Sequence, residues 1–249
     1  MKYLLTIRYD GAAFCGFQVQ PSVRTVQGTL TQACQALFGC PVDVKGASRT
    51  DSGVHALGAR VTVSLPDGAL PIPADKLHLA IAPHLPRDLS VMKAEVVSDA
   101  FHVRYDVKRK QYVYLIHLSS VNDPFWQGRA WQYPYPMPED AVDRMNQAAE
   151  QLVGEQDFSA FMAQGSPVQS TVRHLMRLAV YKEGDMIRIE AEADGFLYNM
   201  VRILVGTLVD CAVGRIAPAD MGAILRSKER KRAGETAPPE GLYLHFVEY

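Results

Sequence analysis

The chain has 249 residues, with 26 lysines and arginines against 27 aspartates and glutamates and a formal net charge of −1. That length can bury a core without metal or disulfide staples. The near-neutral balance excludes a protein that coats nucleic acid indiscriminately, because such proteins displace counterions with a broadly basic surface.

Residues 3–9 alternate as a strand, and 25–38 read as a helix opened by Thr25. Strands are predicted at 41–45 and 59–65, a helix at 73–82 with Pro73 near its first turn, and a returning strand at 89–97. This β-α-β-β-α-β order is that of the split ferredoxin-like arrangement. The second half repeats it with embellishments. A strand at 111–118 precedes a helix at 138–153, which carries Val142, Met145, Ala149 and Leu152 on one stripe. Strands at 172–181 and 186–193 flank the turn-forming Glu183, Gly184 and Asp185. A helix at 198–213, a shorter one at 218–226 and a last strand at 242–247 complete the chain. Residues 122–137, rich in prolines and aromatics, read as a structured surface loop.

The predicted fold class is α+β: two ferredoxin-like (RRM-like) halves, 1–104 and 105–249, sharing a mainly antiparallel sheet with helices on one side and a cleft on the other. Cys15, Cys34, Cys40 and Cys211 form no C-x-x-C pair and read as buried thiols in a reducing compartment. No apolar run reaches membrane-spanning length and no targeting segment opens the chain, so a soluble, cytoplasmic protein is expected.

The densest chemistry lies in Lys45-Gly46-Ala47-Ser48-Arg49-Thr50-Asp51-Ser52-Gly53-Val54-His55-Ala56, between two predicted strands. Such connecting loops are where function concentrates. Arg49, Asp51 and His55 offer a cation, a carboxylate and a titratable ring, and Gly46 and Gly53 let the backbone bend tightly. By composition alone the run is equally a polar hairpin whose Asp51 and Ser52 cap backbone groups. Asp51-Ser52-Gly53 is also the short signature of aspartic proteases, but those need two carboxylates sharing a proton. A second Asp-Ser/Thr-Gly is missing, so that pair could arise only across a dimer.

With its flanks the run resembles the Arg-Thr-Asp motif of the tRNA pseudouridine synthase A family. The resemblance continues through Tyr9-Asp10-Gly11, Phe14, Gly16, Phe17, Gln18 and Gln20, and through Thr25-Val26-Gln27-Gly28. It resumes at Phe101-His102-Val103-Arg104 and Lys110-Gln111-Tyr112-Val113-Tyr114. The last third adds Asp157-Phe158-Ser159-Ala160-Phe161, Thr171-Val172-Arg173, Phe196 to Arg202 and Glu240-Gly241-Leu242-Tyr243-Leu244. Ser48 replaces the family's usual glycine, Phe17 stands where tryptophan is common, and Gln156 stands where histidine usually precedes Asp157.

The resemblance implies an isomerase that converts uridine to pseudouridine in the anticodon stem-loop of tRNA, as a homodimer and without a cofactor. No phosphate-binding loop, dinucleotide fingerprint or metal-ligand cluster is legible in the sequence. Asp51 matches the family's catalytic aspartate, Tyr112 its active-site tyrosine, expected to stack on the uracil, and Arg202 an arginine suited to keeping Asp51 ionised. Arg49 is the natural wedge for the place a flipped uridine vacates. Backbone contacts are expected from Arg24, Arg104, Lys108, Arg109, Lys110 and Arg173, with the basic run 226–232 as a further candidate. His55 reads as a loop-ordering residue. A non-catalytic RNA-binding module is the competing reading, since ferredoxin-like sheets also carry those.

Overall fold

The alternation that predicts the first strand is realised in β1 (Lys2–Tyr9), whose Tyr3, Leu5, Ile7 and Tyr9 are all buried. Thr25 caps α1 (Val26–Phe38) by accepting the Gly28 N–H, and Gly39 ends that helix in the left-handed conformation, which glycine adopts without a Cβ clash. β2 (Asp43–Gly46), β3 (His55–Ser64), α2 (Ala74–Ile81) and β4 (Leu89–Val97) complete the expected order. The chain continues with β5 (Arg109–Leu118), β6 (Trp131–Tyr133), α3 (Ala141–Glu150), β7 (Gly154–Asp157), β8 (Val172–Glu183) and β9 (Met186–Ala193). α4 (Met200–Ala212), α5 (Met221–Ser227) and β10 (Leu242–Glu248) close it. The structure, a computed structural model, describes residues 1–165 and 168–249. It comprises two units, Met1–Lys108 with Tyr243–Tyr249, and Arg109–Leu242. Each is an α+β unit with a mainly antiparallel sheet. Among the described residues no helix is long and apolar enough to cross a membrane.

In the first unit the strand order is β4-β1-β3-β10, with β2 also on β3. The far edge of β3 is divided. β2 pairs antiparallel with Val61 to Ser64, while Tyr243 and Leu244 of β10 pair parallel with His55 and Ala56. Pairing Tyr3 with Val63 and Leu5 with Val61 puts these side chains on one face. The Tyr3 ring stacks on Phe38 of α1, and its hydroxyl donates to the Ile72 carbonyl. On the other face Arg60 joins Thr6 to Glu95.

The second unit runs β5-β9-β8-β7, with β6 parallel to β5. Tyr112, Tyr114 and Ile116 lie opposite Ala191, Ile189 and Ile187, so one face of this pair is apolar. Apart from Arg202 and Asp210, every residue of α4 is buried, the signature of a helix covered on all sides. One cover is the segment ending in Ala237, which crosses α4 at Gly206, where a Cβ would fall 1.8 Å from the Glu235 carbonyl oxygen. Gly206→Ala should therefore lower stability by about 1–3 kcal/mol, the scale of overpacking. A lower urea midpoint at unchanged slope is the expected reading, and an unchanged midpoint would show that the crossing is not tightly held.

Several local readings shift. β3 starts at His55, four residues earlier than predicted, because β10 supplies a partner there. The helix predicted at 138–153 stops at Glu150, and Ala141, not Val142, joins Met145, Ala149 and Leu152 in the buried stripe. β7 follows, and β6 occupies part of the predicted loop. Cys34 and Cys211 are buried, with burial pushing the Cys34 thiol up to about 12, but Cys15 is exposed and Cys40 half-buried.

Candidate active site

The turn between β2 and β3 rests on three buried aromatics of the first unit, Tyr9, Phe14 and Phe17. The Thr50 hydroxyl shares a buried 2.7 Å hydrogen bond with the Tyr9 hydroxyl, and the Thr50 carbonyl accepts the Phe17 N–H at 3.0 Å. Asp51 accepts the Val54 N–H at its carbonyl, closing the turn, while Gly53 N–H and the Ser52 hydroxyl both donate to the Phe14 carbonyl at 3.3 Å. Gly16 is required twice over: its φ is +82°, and a Cβ there would sit 3.0 Å from the Thr50 oxygen. The result is a half-buried Asp51 on a turn fixed at both shoulders, with an exposed Arg49 two residues before it.

His55 follows as the first residue of β3. Its Nδ1 accepts the Gly11 N–H at 3.0 Å, and its ring stacks on Tyr243 at 4.6 Å. These contacts tie the end of β1 to β10, which is a loop-ordering geometry. Arg24 is engaged within the protein: both terminal nitrogens donate to the Asp88 carboxylate at 2.7 Å, and the guanidinium lies 4.1 Å from the Phe14 ring centroid. The pair holds Asp88 below the usual carboxylate range. Arg104 and Lys108 are exposed, Arg104 lying 5.9 Å from the ring of Tyr105.

In the second unit Tyr112 is 7% exposed on β5, with Phe196 packed edge-to-face at 5.2 Å. Arg202, half-buried on the first turn of α4, donates through Nε to the Ala237 carbonyl at 2.7 Å and through Nη1 to Asn199 Oδ1 at 2.9 Å. Asn199 takes φ +58°, a left-handed conformation that asparagine tolerates better than most residues. Arg173 donates to the Ser170 and Val172 carbonyls, Arg109 pairs with Glu192 at 2.7 Å, and Lys110 is half-buried. Within the basic run, Lys228 pairs with Asp157 at 2.8 Å. Arg230 donates to the Ala233 and Gly234 carbonyls and to Thr236. Arg230 thus helps to build the segment crossing α4. Among the described residues no three His, Cys, Asp or Glu side chains are grouped so as to hold a metal ion.

The profile of the tRNA pseudouridine synthase family matches residues 5–106 and 148–249. The tRNA pseudouridine synthase A of Thermoanaerobacter sp. (strain X514) is 44% identical over 246 residues, covering 99% of this chain and 98% of that protein. The chain belongs to the tRNA pseudouridine synthase family. Proteins of the same name from Bacillus licheniformis and Bacillus subtilis are 41% and 39% identical, each covering 100% of this chain and 99% of its own length. The family segments include Arg49, Asp51, Arg173 and Arg202, whereas Tyr112 falls in the stretch 107–147 between them.

Three residues of this pseudouridine synthase support candidate site residues that the sequence singled out. Tyr9, Asp88 and Asn199 bear on Thr50, Arg24 and Arg202 respectively. Tyr9 and Asn199 lie in runs that carry the family resemblance, whereas Asp88 gave no signal. Tyr9→Phe leaves the buried Thr50 hydroxyl without that partner and should cost about 1–3 kcal/mol. Calorimetric or urea unfolding measures it, and a loss near zero would mean that the hydroxyl pair does not anchor the turn.

Proposed function

We propose that the protein isomerises uridine to pseudouridine in tRNA, with Asp51 as the acting carboxylate. The observation that carries this reading is the full-length similarity, 44% over 99% of the chain, to a tRNA pseudouridine synthase A. The reaction breaks the bond between uracil N1 and ribose C1′, turns the base and joins C5 to C1′. N1 gains a proton and C5 gives one up, so atoms and electrons balance without an oxidant, reductant or group donor. What the reaction needs is an ionised carboxylate beside the sugar, attacking C1′ or taking the C2′ proton, and a site that retains the free base.

In this reading Arg202 is the cation that keeps Asp51 charged beneath the uracil. Tyr112, backed by Phe196, contacts the base with its ring. Arg49, on the exposed shoulder of the turn, fills the place of the extruded uridine. Arg104, Lys108, Lys110 and Arg173 supply backbone contacts. The target is the anticodon stem-loop, and the acting species is a cytoplasmic homodimer.

Purified protein, treated with a strong chelator and desalted, should form pseudouridine in an unmodified tRNA transcript at the untreated rate. Pseudouridine mapping of bulk tRNA from cells with and without the protein identifies the uridines. An unchanged map together with an inactive purified protein would remove the proposed activity. Activity lost to the chelator and restored by a metal, with the tRNA fold intact, would contradict the cofactor-free mechanism.

A further inference from the structure

We propose that Arg24 and Asp88 form a clamp that positions the Asp51 turn, so that Arg24 serves the chemical step through Phe14 instead of contacting the RNA backbone. The proposal rests on Asp51 being the acting carboxylate. Arg24 directly precedes the cap of α1, and Asp88 directly precedes β4, so the clamp joins two elements 64 residues apart in sequence. Its geometry is the bidentate one, with two 2.7 Å bonds, the arrangement that fixes a guanidinium in orientation as well as position.

Three further contacts carry that fixed position to the turn. The guanidinium lies 4.1 Å from the Phe14 ring centroid, and the Arg24 carbonyl accepts the Cys15 N–H at 2.8 Å, so residues 14 and 15 are gripped from side chain and main chain. The Phe14 carbonyl in turn receives Gly53 N–H and the Ser52 hydroxyl, the two groups that follow Asp51. The Asp88 carbonyl accepts the Asp10 N–H at 3.0 Å, which anchors the other end of the same segment. A guanidinium with both terminal nitrogens on a carboxylate and its face on an aromatic ring has spent the fork that phosphate recognition uses. To bind phosphate in that way, Arg24 would first have to break the clamp.

The test compares Arg24→Gln, Arg24→Lys, Asp88→Asn, the double variant Arg24→Gln/Asp88→Asn and Asp51→Asn on an unmodified tRNA transcript, with rates referred to folded protein by urea titration. The clamp predicts that Arg24→Gln and Asp88→Asn each lower kcat by about ten- to a hundredfold, the cost of a small misplacement of a reacting group. KM for tRNA and the salt dependence of binding should stay at parental values. Arg24→Lys, which keeps the charge beside Asp88, should recover part of kcat, and the double variant should be no slower than the slower single one, because both changes break one device. Two results overturn the clamp: an Asp88→Asn variant with parental kcat, or an Arg24→Gln variant whose main defect is weaker tRNA binding with a shallower salt dependence. If Asp51→Asn is inactive while the Arg24 and Asp88 variants turn over normally, the clamp alone falls. If Asp51→Asn turns over normally, the clamp falls together with the role of Asp51.

Discussion

Asp51→Asn should lower turnover by at least about a thousandfold, the scale expected when a positioned nucleophile or base is removed, while leaving tRNA affinity intact. Asparagine keeps the size of the side chain and part of its hydrogen bonding but carries no negative charge. Neither attack on C1′ nor removal of the C2′ proton then remains available. The turn should survive the change, because its supports are the Thr50 hydroxyl and carbonyl, the Asp51 carbonyl, the Ser52 hydroxyl and the Gly53 N–H. Binding follows different physics: affinity for RNA comes chiefly from arginines and lysines on phosphates, and removing an anion near a polyanion reduces repulsion. The variant should bind a tRNA transcript as tightly as the parent or slightly more so, with the same decline as salt rises. Pseudouridine formation and filter binding on one preparation decide the matter. Parallel loss of both would indicate a collapsed turn, and full turnover would end the proposed mechanism.

What was legible in the sequence was local. The alternation of Tyr3, Leu5, Ile7 and Tyr9, the Thr25 cap and the run around Asp51 each declare themselves within about ten residues, the reach of strand period, capping and turn chemistry. Contacts between distant residues declared nothing. β3 begins at His55 because Tyr243 pairs beside it, and no pattern near residue 55 announces a parallel partner from the end of the chain. β7, Gly-Glu-Gln-Asp, is held by its ladder to β8 and has no apolar alternation of its own. The cations show the same limit. Arg24 and Arg230 are ordinary basic residues in the sequence, yet one is held by Asp88 and the other by the carbonyls of the segment over α4. Composition counts a positive charge, but only the fold decides whether that charge is left for a ligand.

Arg202 is the position where orientation and charge can be separated. If Arg202 is the cation of the proposed carboxylate, Arg202→Met should lose nearly all turnover, a fall of about a hundredfold or more, because a carboxylate deprived of its cation tends to protonate. Arg202→Lys should retain a measurable fraction. Lysine keeps the charge but cannot reproduce the fork that reaches the Ala237 carbonyl with Nε and Asn199 Oδ1 with Nη1. The pH profile gives the sign. A carboxylate that loses a neighbouring cation titrates higher, so the acid limb of kcat in the Met variant should move to higher pH, with activity lost earlier as pH falls. The Lys variant should show a smaller displacement in the same direction. Asn199→Ala removes one acceptor and leaves the charge, so its acid limb should stay near the parental position even if kcat falls. Stability needs its own measurement, since the Met variant leaves the Ala237 carbonyl without the Nε bond, a loss of about 1–3 kcal/mol if no water replaces it. Turnover of folded Met variant close to the parent, or an acid limb that does not move, would take Arg202 out of the reaction and leave it as the residue that holds Ala237 against α4.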